Sequence, residues 1–114
     1  MPFLELRTNK QLSAERKQHV MKDLTALLAK DLNKPGRVIM INCRDNQDLM
    51  FGGSSESLAF IELRSIDLPE DQTVRLSQSL SSFIKNNLDI PEERLFINFR
   101  SFERHMWGYN GSTF

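Results

Sequence analysis

A chain that repeats itself folds into something built twice. Shifted by 56 positions, this sequence lays Leu24 on Leu80, Leu28 on Ile84, Leu32 on Leu88, Pro35 on Pro91, Ile41 on Ile97 and Asn42 on Asn98. The leucines and Ile84 recur at helical spacing up to the proline, and Ile41 and Ile97 lie in short apolar runs beyond it. Each half therefore reads strand, helix, proline stop, strand. A helix joining two strands of one sheet makes them parallel with a right-handed crossover. Two such βαβ units, about residues 2–56 and 57–114, predict one α/β domain with a four-stranded mixed sheet and both helices on one face.

Local signals give the boundaries. Phe3 to Thr8 alternates, which puts Leu4 and Leu6 on one face and Phe3, Glu5 and Arg7 on the other. Ser13 can cap a helix running to about Leu32, and Asn33-Lys34-Pro35-Gly36 stops it. Val38-Ile39-Met40-Ile41 reads as the second strand, Arg44 to Ser57 as a loop and Leu58 to Arg64 as the third strand. Pro69 suits the first turn of a second helix, with Glu70 and Asp71 at its positive end and Leu76, Leu80, Phe83, Ile84 and Leu88 on its apolar face. Pro91 ends it, and Arg94 to Arg100 is the fourth strand.

Two helices cover one side of a sheet, yet the strands offer apolar residues to both sides, so self-association is expected. The aromatic tail from Trp107 to Phe114 is too apolar to be free and is expected to add a short edge strand to a neighbouring subunit.

Fifteen basic and fifteen acidic residues cancel, and no basic stripe is interleaved with aromatics, which argues against nucleic acid and anionic membrane as partners. Cys43 is the lone cysteine, so there is no intrachain disulfide and no Cys/His cluster at metal-ligand spacing. No apolar run reaches the ~18 residues of a membrane span, and no charged-then-apolar leader opens the chain. A cytoplasmic protein without metal or cofactor is expected.

Pro2 is the unusual residue. A proline within a chain has no basic nitrogen, but removal of Met1 makes Pro2 a secondary amine, and the strand that follows fixes it in a sheet. The bland reading is that proline tolerates a strand start. Other features have bland readings too. Gly52-Gly53-Ser54-Ser55 lacks the spacing and the following Lys-Ser/Thr of a phosphate loop and reads as a turn. His19 and His105 have no nucleophile beside them and read as surface or packing residues. Glu5-Leu6-Arg7 and Glu62-Leu63-Arg64 are explained by strand alternation without any receptor.

Pro2-Phe3-Leu4, Asn33-Lys34-Pro35, Phe51-Gly52-Gly53-Ser54-Ser55-Glu56, Ser65-Ile66, Ile97-Asn98 and Asn110-Gly111-Ser112-Thr113-Phe114, taken together, carry a resemblance. The whole chain resembles the macrophage migration inhibitory factor family, and its opening looks closest to the D-dopachrome tautomerase branch. The resemblance implies a homotrimer with the pocket at the subunit interface. It implies keto-enol tautomerisation of phenylpyruvate-like aromatic α-keto acids, with dopachrome-like compounds as a further class and Pro2 as base. It carries Lys34 over as the carboxylate-binding lysine, Ser65 and Ile66 as its neighbours, and Asn98 as a contact from the adjacent subunit. Phe96, Trp107, Tyr109 and Phe114 become the aromatic wall.

Three departures stand out. Phe96 replaces a tyrosine and loses a hydroxyl, and Tyr109 replaces a tryptophan while Trp107 replaces a small aliphatic residue. Leu58 and Ile61 stand where the family has Cys-x-x-Cys, so thiol oxidoreductase chemistry has no residues to carry it. The family also implies leaderless secretion and a cytokine-like alternative in which the pocket is a remnant. Leu12 and Asn46 stand where a spaced Arg and Asp serve receptor mimicry, so receptor binding is unsupported.

Overall fold

A computed structural model describes all residues from Met1 to Phe114. Its order is β1 (Phe3–Thr8), α1 (Ala14–Asp31), β2 (Met40–Arg44), β3 (Ala59–Ile66), α2 (Thr73–Leu88), β4 (Leu95–Phe102), β5 (Gly108–Tyr109) and β6 (Ser112–Thr113). The main sheet is ordered β2-β1-β3-β4. β1 runs parallel to β2 and β3 parallel to β4, while the two units meet through the antiparallel β1–β3 pair. This is the duplicated βαβ arrangement and mixed sheet that the repeat predicts.

Both helices lie on one face because both carry one apolar stripe. Ser13 caps α1 by accepting from the Arg16 N–H at 3.0 Å, and Val20, Leu24 and Leu28 are buried along it. Leu76, Leu80, Ile84 and Leu88 do the same on α2. They close on Leu4, Leu6, Ile61 and Leu63 of the central strands, forming the middle of one cluster of 15 buried residues. Each buried leucine contributes ~1.5 to 3 kcal/mol relative to exposure. The equivalent positions Leu24 and Leu80, and Leu28 and Ile84, are all fully buried, so the repeat is at bottom a repeat of this packing.

Several boundaries differ from the sequence reading. Val38 does not open the second strand, because Gly36–Val38 form a 3-10 turn after Pro35, and β2 begins at Met40. Pro91 is followed by the matching turn, Glu92–Arg94. In each case the proline carbonyl accepts from the N–H three residues on, at 3.2 Å from Val38 and 2.9 Å from Arg94. Pro69 is not in the first turn of α2 but precedes a separate 3-10 turn, Glu70–Gln72. The last strands run to Ile66 and Phe102, two residues beyond the alternation that was read.

The face opposite the helices corrects a larger expectation. It is not broadly apolar: its central row is Asn42, Glu5, Glu62 and Asn98, by strand register. Glu5 pairs with Arg7 and Glu62 with Arg64, and Asn42 donates to Glu5 at 3.2 Å. Apolar side chains gather instead at the corners, with Phe96 61% exposed and Met40 65% exposed. Of the runs Val38-Ile39-Met40-Ile41 and Leu95-Phe96-Ile97, only Met40 and Phe96 reach this face; Leu95, Ile97, Ile39 and Ile41 pack toward the helices and Val38 sits in the turn. The tail folds as a hairpin, β5 against β6. No helix is long and apolar enough to cross a membrane.

Candidate active site at the end of the sheet

Topology decides what surrounds Pro2. β1 starts beside the start of its parallel neighbour β2 and beside the end of its antiparallel neighbour β3, with the end of β4 next along. The turn before β2, the last residues of β3 and β4, and the segment after β4 therefore converge on the N-terminus. They enclose a cavity of about 500 Å³ lined by Pro2, Arg37, Val38, Arg64, Trp107 and Tyr109 among others.

Pro2 is buried, and its carbonyl accepts from the Met40 N–H at 3.1 Å, which extends the β1–β2 ladder to the second residue. The terminus is held as part of the sheet. Aromatic contacts firm the far wall: Phe102 meets Trp107 edge to face at 5.4 Å, and Tyr109 stacks on Phe114 at 5.6 Å. On the near side, the Arg64 guanidinium lies over the Phe3 ring at 5.6 Å.

A second cavity of about 330 Å³ lies on the helix side of the same sheet end, lined by Lys34, Ser65, Ile66, Asp67 and Arg75 among others. Lys34 is exposed just after α1, where Asn33 turns the chain with a φ of 52°. Ser65 and Ile66 are buried, and the Ser65 hydroxyl donates to the Ile66 carbonyl at 3.3 Å.

The amine between these cavities is electrostatically tuned. The pKa of the Met1 amine lies below its ordinary 8.0, chiefly because burial disfavours the ammonium form. The cations of Lys34 and then Arg104 push the same way, and Asp67 opposes them. This is the environment one residue upstream of the Pro2 nitrogen.

Of the residues singled out from sequence, one chain brings together Pro2, Trp107 and Tyr109 around one cavity, with Phe114 behind Tyr109. Lys34, Ser65 and Ile66 flank the adjoining one. Phe96 and Asn98 are elsewhere. Phe96 is level with Phe60 and Arg7, four residues along β1 from Phe3, or ~13 Å at strand rise. It packs on Phe51 at 4.7 Å, and Asn98 lies midway along the open face. Arg37, Arg64, Phe102 and Arg104 were missed, although strand order alone would have found them, because parallel starts and antiparallel ends must flank Pro2.

Known proteins agree with this architecture. The family model described as macrophage migration inhibitory factor matches residues 1–114. The chain belongs to this family. It is 35% identical to macrophage migration inhibitory factor of Xenopus tropicalis over 96 residues, covering 83% of this chain and 84% of the relative. The Trichinella spiralis homolog is 32% identical over 115 residues, covering the full length of both chains. The solved Trichinella spiralis structure superposes with a TM-score of 0.89 at 30% identity, covering 98% of this chain and 99% of that one. The Prochlorococcus marinus homologue gives 0.90 at 28% identity and covers 98% of each chain.

Proposed function

We propose that the chain, freed of Met1, is a cofactor-free keto-enol tautomerase of phenylpyruvate-like aromatic α-keto acids, with the Pro2 amine as general base. The observation that carries this reading is a buried Pro2, locked into the sheet at an aromatic-walled cavity, one residue from a Met1 amine whose neutral form is favoured by burial and nearby cations. An unperturbed α-amine near 8 is largely protonated at neutral pH and idle as a base; lowering its pKa makes it competent.

The chemistry balances without metal or redox partner. Neutral Pro2 takes the enol O–H proton while the carbonyl forms, and delivers a proton to C3 as the C=C bond is lost. The nitrogen ends as it began. In this reading Lys34 pairs with the substrate carboxylate, Ser65 and Ile66 shape the ground beside it, and Trp107, Tyr109 and Phe114 supply apolar area for the ring.

Phe96 and Asn98 lie too far along the sheet to serve the Pro2 of their own chain. We assign them to a neighbouring subunit's pocket in a homotrimer, where exposed Phe96 and Met50 would be covered. Intact mass combined with an enol-to-keto assay tests the function: protein lacking Met1 should convert phenylpyruvate enol, and Pro2→Gly should retain a weaker, primary-amine activity. A processed, folded protein with no turnover would leave the pocket a binding or signalling remnant.

A further inference from the structure

The end of the sheet around the N-terminus holds more positive charge than one carboxylate can use. Lys34, Arg37 and Arg104 surround the terminus, and none of the three takes part in an ion pair. Their side chains also donate no hydrogen bond within the protein, in contrast to Arg64, whose charge is matched by Glu62. Asp67 is the one carboxylate close enough to oppose them at the amine. At the amine two cations face one carboxylate, and Arg37 adds a further unpaired cation to the wall of the larger cavity.

These charges are also spread apart. Lys34 lines the helix-side cavity with Ser65 and Ile66, whereas Arg37 lines the larger one with Pro2, Trp107 and Tyr109. Arg37 stands in the turn before β2, and Arg104 in the 3-10 turn after β4. Three strand spacings, or ~14 Å, separate those two strands, with β1 and Pro2 between them. A ligand anchored at Lys34 by one carboxylate and passing Pro2 enters a chamber whose walls are mainly apolar and whose unpaired cation is the Arg37 guanidinium.

We propose that this site selects dianions: 2-oxo acids, or their enols, that carry a second anionic group at the end remote from the keto acid, and that Arg37 is the residue that receives it. The inference deepens the tautomerase reading and rests on it for the position of the first carboxylate at Lys34. A guanidinium presents a planar fork that matches a carboxylate bidentately, which a monoanionic phenyl ring leaves unused. Exposure of Arg37 limits the gain to that of a partly solvated pair, enough to set preference without being needed for turnover.

The test uses two planar analogues of the enol that differ by one carboxylate and are not turned over, cinnamate and 4-carboxycinnamate, titrated calorimetrically into protein lacking Met1. The dianion should bind ~5-fold tighter, the worth of one exposed ion pair, and the advantage should shrink as salt is raised. In Arg37→Gln the ratio of the two affinities should fall to about one. Equal binding by the unmutated protein overturns the inference, as does a preference that survives in Arg37→Gln. Phenylpyruvate turnover is followed separately. Its absence beside an intact dianion preference would remove the catalytic reading while leaving the anion site standing.

Discussion

The Met40 N–H donates to the Pro2 carbonyl oxygen at 3.1 Å, so the sheet reaches within one residue of the amine that the proposed chemistry needs. A base on a frayed terminus would sample many positions; here the ladder fixes the carbonyl, and the pyrrolidine ring removes rotation about the N–Cα bond. Arg37 and Val38, just upstream of Met40, are held against Pro2 by that same pairing.

The first prediction concerns pH. The neutral amine is the active base; one residue upstream, burial first and then Lys34 and Arg104 disfavour the ammonium form of the Met1 amine, and we propose the same direction for Pro2. kcat/KM should therefore rise with pH through an apparent pKa below that of a free proline amine and level off above it. Lys34→Ala removes one of the two cations and the carboxylate partner together. Its profile should shift to higher pH, with kcat/KM lower by ~10-fold or more, the worth of one charged hydrogen bond. A loss of rate with an unmoved profile would mean that Lys34 binds substrate without tuning the base.

The proposed sharing of each pocket between two subunits makes a prediction about mixed assemblies. A subunit altered at Pro2 keeps Phe96 and Asn98, and a subunit altered at both of those keeps Pro2. Each alone should be weak, whereas co-assembled trimers should recover activity in the pockets that combine two intact halves. Additive, unrecovered activity would place each pocket within one chain, against the ~13 Å that separate the positions along β1.

Arg94 holds the loop that carries Phe51. Its guanidinium donates to the carbonyls of Phe51, Ser54, Glu56 and Ser57 at 2.9 to 3.2 Å, and it lies over the Phe51 ring at 5.4 Å. The Gly52-Gly53 turn, with positive φ at both glycines, closes the loop. Lysine cannot reproduce that fork, so Arg94→Lys should speed hydrogen exchange at the Phe51 and Ser54 amides, which bond to each other's carbonyls at 3.0 Å. Unchanged protection would assign the loop's order to the turn alone.

Acid stability should depend on Asp45. Its carboxylate accepts from the Leu12 N–H at 2.8 Å and from Lys17 Nζ at 3.1 Å, and these bonds, the backbone one first, hold its pKa below the ordinary 3.8. A folded-state pKa that is depressed contributes stability above 3.8 and loses it as pH falls through the folded value. The Tm of Asp45→Asn should lie below that of the unmutated protein at neutral pH and converge with it in strong acid. A constant gap would show that packing, not charge, accounts for the difference.

Much of this was legible in the sequence because the repeat and the buried stripes are one fact. Leu24, Leu28, Leu80 and Ile84 dictated two helices on one face, and the linking proline stops dictated parallel pairs. The open face was misread since a run such as Val38-Ile39-Met40-Ile41 does not reveal that its first residue is spent in a turn, and Glu5 and Glu62 meet only once register is known. Pro2, Trp107 and Tyr109 were found through motifs. Arg37 and Arg104 belong to no motif, and only the convergence of strand ends brings them to the terminus.

The most direct test of the central claim compares two purified, folded proteins that differ at the first position: one processed to Pro2, the other retaining Met1 or carrying an added alanine before Pro2. Phenylpyruvate enol conversion should fall by ~10² to 10⁴ in the extended protein, the usual contribution of a positioned base, with its oligomeric state unchanged. Equal turnover by both would show that the N-terminal amine is not the base.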